Sequence, residues 1–175
     1  QKGMSGALSF LVVALPAACF VYLFNISNLT TILSVKGAEG LKALNLGGIP
    51  LLICFILLCS FINLFMISGS AKWLILAPIF VPMFSLVGFS PALTQVAYRI
   101  GDSTTNIISP LSYYVPVIIG LLEQYKKESD PPVGIGTVIS LAMPYSMAFM
   151  VGMTLMLVVW YFFGIPLGPG APVGM

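Results

Sequence analysis

The chain has 175 residues, 59% of them hydrophobic and only 7% charged, with a formal net charge of +2 and no histidine. An average soluble domain carries about 25% charged residues, so a water-solvated globule is not the expected class, and the scattered charges include no basic run to bind nucleic acid. The missing histidine removes Ser-His and Cys-His nucleophiles and His-ligated metal sites, so no cofactor is expected.

The apolar residues come in long blocks, the arrangement that a ~30 Å hydrocarbon core selects, and the lipid bilayer is the expected solvent. The chain opens on Gln1 without a signal-peptide pattern, which reads as a cut within a longer protein. Met4 to Phe24 is uncharged and long enough for a transmembrane helix, kinked at Pro16. Residues 25–45 carry Lys36, Glu39 and Lys42 with Gly37 and Gly40, as expected of an extramembrane connection with a short interfacial helix. The glycosylation-type tripeptides starting at Asn25 and Asn28 are read as chance. Cys19, Cys54 and Cys59 sit in apolar blocks without metal-site spacing and are read as packing residues.

Residues 46–89 predict two apolar helices around a small, polar tip at 68–72, Ser68-Gly-Ser-Ala-Lys72. Both helices could cross the bilayer, or they could form a re-entrant hairpin, whose bare tip is tolerable only in a cavity or within protein. Ser90 followed by Pro91 signals a helix start, and the helix is expected to run to about Ile100. Gly101 to Pro110 favours turns and caps, and residues 111–122 are apolar again, so 90–122 reads as one membrane span broken at 101–110. An aqueous loop at 123–136, a last span at 137–163 with Pro144 as a kink, and an irregular tail at 164–175 complete the chain.

An ionised side chain at the bilayer centre costs at least ~2.5 kcal/mol, so one that survives there usually has a partner and a role. Arg99 and Asp102 are spaced to pair across a helix end, and the polar setting around them exceeds what one ion pair requires. The planar Arg99 guanidinium matches a carboxylate, making a small anionic substrate the natural partner. Asn106, with Thr104, Thr105 and Ser109, adds polar groups where broken helices of secondary transporters build midplane sites. Trp73 is either a stacking face for a substrate ring or an interfacial anchor. Tyr98, Tyr113 and Tyr114 are read as packing or interface aromatics.

Three stretches, Ser-Gly-Ser-Ala-Lys-Trp at 68–73, Ala-Pro-Ile-Phe-Val-Pro at 77–82 and Ala-Tyr-Arg-Ile-Gly-Asp-Ser-Thr-Thr-Asn-Ile-Ile-Ser-Pro at 97–110, closely resemble the p-aminobenzoyl-glutamate transporter family within the ion transporter superfamily. The likeness continues through Ala142 to Ser146 and the Pro-Leu-Gly-Pro-Gly tail. It implies a dimeric protein of the bacterial inner membrane with two inverted repeats, each carrying a re-entrant hairpin and a broken helix. This chain would supply the second hairpin and broken helix, with the first repeat absent. By matching motif, Ser70, Trp73, Pro91, Arg99, Asp102 and Pro110 correspond to positions of the family's substrate and coupling pathway. The implied function is proton-coupled secondary active transport of p-aminobenzoyl-glutamate-like folate catabolites, of sulfonamide-type antimetabolites, or of both. Asp102 is the candidate coupling residue, with H+ or Na+ as the ion. Ser112-Tyr-Tyr114 departs from a variable part of the family pattern and bears on substrate choice. With the first span running outward, Lys2, Lys126 and Lys127 fall inside and Lys36 and Lys42 outside, in line with a weak positive-inside bias. The alternatives are a non-transporting scaffold or channel subunit, and an intramembrane aspartyl protease. The protease is disfavoured because Asp102 is the lone acid within an apolar block.

Overall fold

A computed structural model describes residues 19, 22–23, 26–43, 47–112, 114–127 and 132–174. The expected span at 4–24 therefore lies outside the described residues, save Cys19, Tyr22 and Leu23, as do Asn25 and Tyr113. Among the described residues the chain forms α1 (Leu29–Ala43), α2 (Ile49–Phe65), α3 (Gly69–Ser85), α4 (Pro91–Thr105), α5 (Val115–Tyr125) and α6 (Ile135–Phe163).

The chain divides into two compact units. The first comprises Gln1–Leu51, Ser68–Gln95 and Gly164–Met175. In it α1 packs on α3 at a close approach where Gly37 lies against Met83, a space that a β-carbon would fill. Ser34 Oγ donates to the Ile79 carbonyl at 3.4 Å. Three phenylalanines continue this core edge to face, Phe80 on Phe84 at 5.7 Å and Phe84 on Phe89 at 6.0 Å, a favoured arrangement of ring quadrupoles. After α3 the chain reverses at Gly88, whose φ of +102° suits a residue without a β-carbon. Phe89 N then donates to Phe84 O at 3.0 Å. Ser90 starts α4 as its residue type and position predict, its Oγ accepting from Leu93 N at 3.1 Å, with Pro91 the first helical residue. The tail is irregular but anchored: Ser90 N donates to Val173 O at 3.3 Å, Phe89 and Gly174 form an antiparallel bridge, and Val173 is buried.

The second unit comprises Leu52–Ile67 and Val96–Phe163. Leu52, Phe55, Ile56 and Cys59 of α2, Ala97, Tyr98 and Ile100 of α4, and Val115, Val138 and Leu157 are buried in it. Cys59 thus serves packing, whereas Cys54 and Cys19 are exposed. α5 packs on α6, and Glu123 Oε1 accepts from Val133 N at 3.2 Å across their connection.

α6 has 29 residues, and only 11% of its most apolar window is buried. At 1.5 Å per residue it is about 43 Å long, more than a ~30 Å hydrocarbon core requires. Tyr145, Phe149, Leu155, Phe162 and Phe163 are all exposed along it. A helix that is apolar and mostly uncovered is solvated by lipid or by further protein.

Two expected boundaries move. The helix expected to stop near Ile100 continues to Thr105, so Gly101 to Thr105 are helical, and α5 begins at Val115. The reason is local: Thr104 and Thr105 hydroxyls donate back to the carbonyls of Ile100 and Gly101, each at 2.8 Å. Their hydrogen-bonding capacity is satisfied inside the helix instead of breaking it. Likewise Gly69 to Lys72 form the first turn of α3, capped by Ser68 Oγ, which accepts from Ala71 N at 3.4 Å, so the connection narrows to residues 66–68.

Candidate functional site

The second unit is built around the end of α4. A helix that stops leaves its last carbonyls without intrahelical donors, and buried ones need partners. Thr104 O accepts from Ser146 Oγ of α6 at 2.7 Å. Thr105 O accepts from Ile108 N at 3.2 Å, the first of three successive turns that continue through Ser109 to Ser112 and Ser112 to Val115. Side chains of α2 serve the preceding turn. Asn63 Nδ2 lies 2.9 Å from Asp102 O, 3.0 Å from Thr105 Oγ1 and 2.9 Å from Asn106 Oδ1, so its two hydrogens are shared among three acceptors. Ser60 Oγ donates to Ile56 O at 2.8 Å and also approaches Gly101 O at 3.3 Å and Met150 Sδ at 3.7 Å. Ser109 Oγ reaches Leu64 O at 3.5 Å.

This polar seam requires α2 and α4 to lie close together, and Gly101 permits it. A β-carbon there would stand 2.5 Å from Ile56 O, 2.8 Å from Cys59 Cβ and 3.1 Å from Ser60 N. Two of those atoms are backbone, which cannot rotate away.

On this frame Arg99 and Asp102 face each other across one turn, Nη1 to Oδ2 at 3.5 Å, with the Arg99 side chain 53% exposed and that of Asp102 6% exposed. The pairing expected from their spacing is present. Its asymmetry has a chemical consequence: the acid is held inside the unit, while the guanidinium keeps part of its donor fork available. The Tyr98 ring, fully buried, lies 5.8 Å from the guanidinium carbon, within range of a weak cation–π attraction. Asn106 is half-buried beside Asn63, and Pro110 is exposed. Arg99, Asp102, Asn106 and Pro110 thus belong to the second unit.

Ser70, Trp73 and Pro91 belong to the first unit. Ser70 and Pro91 are exposed, and Trp73 is half-buried in the first turns of α3. Lys72, beside it, is buried.

Sequence reading passed over Asn63, Ser60 and Ser146. A signal was there for the first two: they interrupt the apolar run of α2 three positions apart, on one helical face. Ser146 had only its place two residues after Pro144.

A long apolar helix, a polar seam at the end of α4 and an ion pair with its acid buried fit an α-helical membrane protein. The chain matches the AbgT transporter family over residues 1–175 and belongs to it. It is 45% identical to the p-aminobenzoyl-glutamate transport protein of Escherichia coli (strain K12) over 170 residues, covering 97% of this chain and 32% of that protein. Among solved structures, the Alcanivorax borkumensis YdaH transporter superposes with a TM-score of 0.87 at 47% identity, over 95% of this chain and 34% of that one. Neisseria gonorrhoeae MtrF, described with a class of antimetabolite efflux pumps, superposes with a TM-score of 0.84 at 46% identity, over 98% of this chain and 33% of that one. The chain spans about a third of the length of the relatives it matches.

Proposed function

We propose that this chain is the part of a secondary active transporter that carries an anion-binding arginine and a coupling carboxylate, and that the whole protein moves p-aminobenzoyl-glutamate-like compounds or sulfonamide-type antimetabolites across the bacterial inner membrane. The observation that carries the proposal is the Arg99–Asp102 pair at the end of α4, with its buried acid and half-exposed guanidinium. The name of the E. coli relative and the efflux class of MtrF suggest the substrates.

In this reading Arg99 offers its free N–H groups to a substrate carboxylate, while Asp102 holds the guanidinium plane in place and takes up or releases the coupling H+ or Na+. Asn106 and Pro110 line the same break. Ser70, Trp73 and Pro91 are substrate contacts carried by the first unit, with Trp73 offering a face to an aminophenyl ring. Helix lengths support a re-entrant hairpin for 46–89. α2 and α3 have 17 residues each, about 25 Å, short of a ~30 Å core. α4 and α5, with 15 and 11 residues, fit the two halves of one broken span. The full-length protein is proposed to be a homodimer with inverted repeats, as the resemblance implies.

The test is transport by the full-length protein in proteoliposomes with an imposed ion gradient. Arg99→Ala is expected to raise KM for p-aminobenzoyl-glutamate roughly 10- to 100-fold, the weight of a charge-assisted hydrogen bond of ~1.5–3 kcal/mol. Arg99→Lys should recover only part of this, because an ammonium lacks the planar fork. Asp102→Asn is expected to uncouple flux from the gradient. Wild-type, gradient-driven flux in both Arg99→Ala and Asp102→Asn, with normal membrane insertion, would falsify the assignment.

A further inference from the structure

We propose that Ser146 is a positioning residue that latches α6 to the end of α4 and so holds the break in the geometry that the Arg99–Asp102 pair requires. The inference rests on the transporter reading above. α6 is mostly uncovered, and the residues it buries, Val138, Ser146 and Leu157, fall on one stripe of the helix. Two of them are apolar, and the third is a serine that meets a carbonyl. Ser146 Oγ donates to Thr104 O at 2.7 Å, the shortest of the side-chain bonds around the end of α4.

Thr104 O belongs to the last turn of α4, where intrahelical donors run out. An unmet carbonyl in this buried place would draw the chain toward another donor, by lengthening the helix or by shifting the first turn of the break. Met150, one turn further along α6, touches Ser60 Oγ at 3.7 Å, which sets the register of α6 against the same seam. Pro144, two residues before Ser146, cannot donate an N–H to its own helix, so α6 has a weak point beside the latch. The stretch Ala142 to Ser146, which stands out in the sequence, thereby gains a role.

The experiment compares Ser146→Ala, Ser146→Thr and wild type as full-length protein, measuring proteoliposome flux, thermal stability in detergent and amide hydrogen exchange by peptide. Ser146→Ala is expected to lower Vmax/KM about tenfold, as one unmet buried carbonyl allows, with a Tm loss of no more than a few degrees. Exchange should accelerate only in residues 106–112, where the Ile108 and Ser112 amides report on the break. Ser146→Thr, which keeps the hydroxyl, should restore both. Wild-type exchange at 106–112 in Ser146→Ala overturns the latch. A loss of Tm with exchange rising along the whole chain overturns it as well, since it marks a general packing role, and so does a threonine variant as impaired as alanine. Arg99→Ala measured alongside keeps the two ideas apart: unchanged flux there rejects the proposed site, while local exchange in Ser146→Ala still decides the latch.

Discussion

At the scale of single residues, charge and hydrogen-bond demand explain the arrangement better than hydrophobicity does. Arg99 and Asp102 were legible in the sequence because two opposite charges one turn apart in an apolar setting are costly unless paired. Asn63 was not, because one amide in a helix of phenylalanine, leucine and isoleucine looks like a tolerated exception. The fold makes it a donor to three acceptors at the end of α4. Asn63→Leu removes both N–H groups and leaves buried oxygens unmet, so it is expected to cost about 2–3 kcal/mol, read as a lower Tm in detergent. Retention of wild-type stability would mean that the seam contributes no net energy. The exposed Lys36–Glu39 pair at 3.0 Å lies at the other extreme; Lys36→Ala should change stability by less than ~1 kcal/mol.

At the scale of elements, the decisive feature is how closely α2 and α4 approach. Hydropathy predicts both helices but carries no information about the distance between them. Gly101 sets that distance, and a turn-forming role was the natural reading of a glycine followed by Asp, Ser, Thr and Thr. In the folded chain it is a helical residue whose missing side chain admits the α2 backbone. Gly101→Ala is therefore expected to push the helices apart, at a cost of roughly 1–3 kcal/mol, and to lengthen the contact from Ser60 to Gly101 O. A variant as stable as wild type, with undiminished transport, would show that α2 can shift freely. The same ambiguity explains why α4 ends later than expected. Serine and threonine favour caps and turns when exposed, yet they extend a helix when burial turns their hydroxyls onto its own carbonyls.

At the scale of the whole molecule, α6 and the exposed faces of α2 and α5 present more apolar surface than a water-soluble protein of this size would leave uncovered. Expressed by itself, the 175-residue chain is expected to remain in the membrane fraction through an alkaline carbonate wash; release into the supernatant would contradict a bilayer-embedded chain. Because it spans about a third of its relatives, it is also expected to give no saturable, gradient-driven flux in proteoliposomes. Such flux from the chain alone would place a complete pathway within these residues.

By itself the sequence determined the solvent, the helical class, the start of α4 at Ser90 and Pro91, the charged pair and, through ordered motifs, the family. Each of these depends on residue type and short spacing, which a single strand of text preserves. The tertiary structure decided where α4 ends, that Asn63, Ser60 and Ser146 serve its carbonyls, and that Asp102 is buried while Arg99 is half exposed. Those outcomes depend on which backbone groups lack partners once helices distant in sequence come together, and that is a property of the packed chain. The polar stretch at 101–110 is accordingly two things: a final helical turn held by hydroxyls, and a run of turns that begins at Asn106.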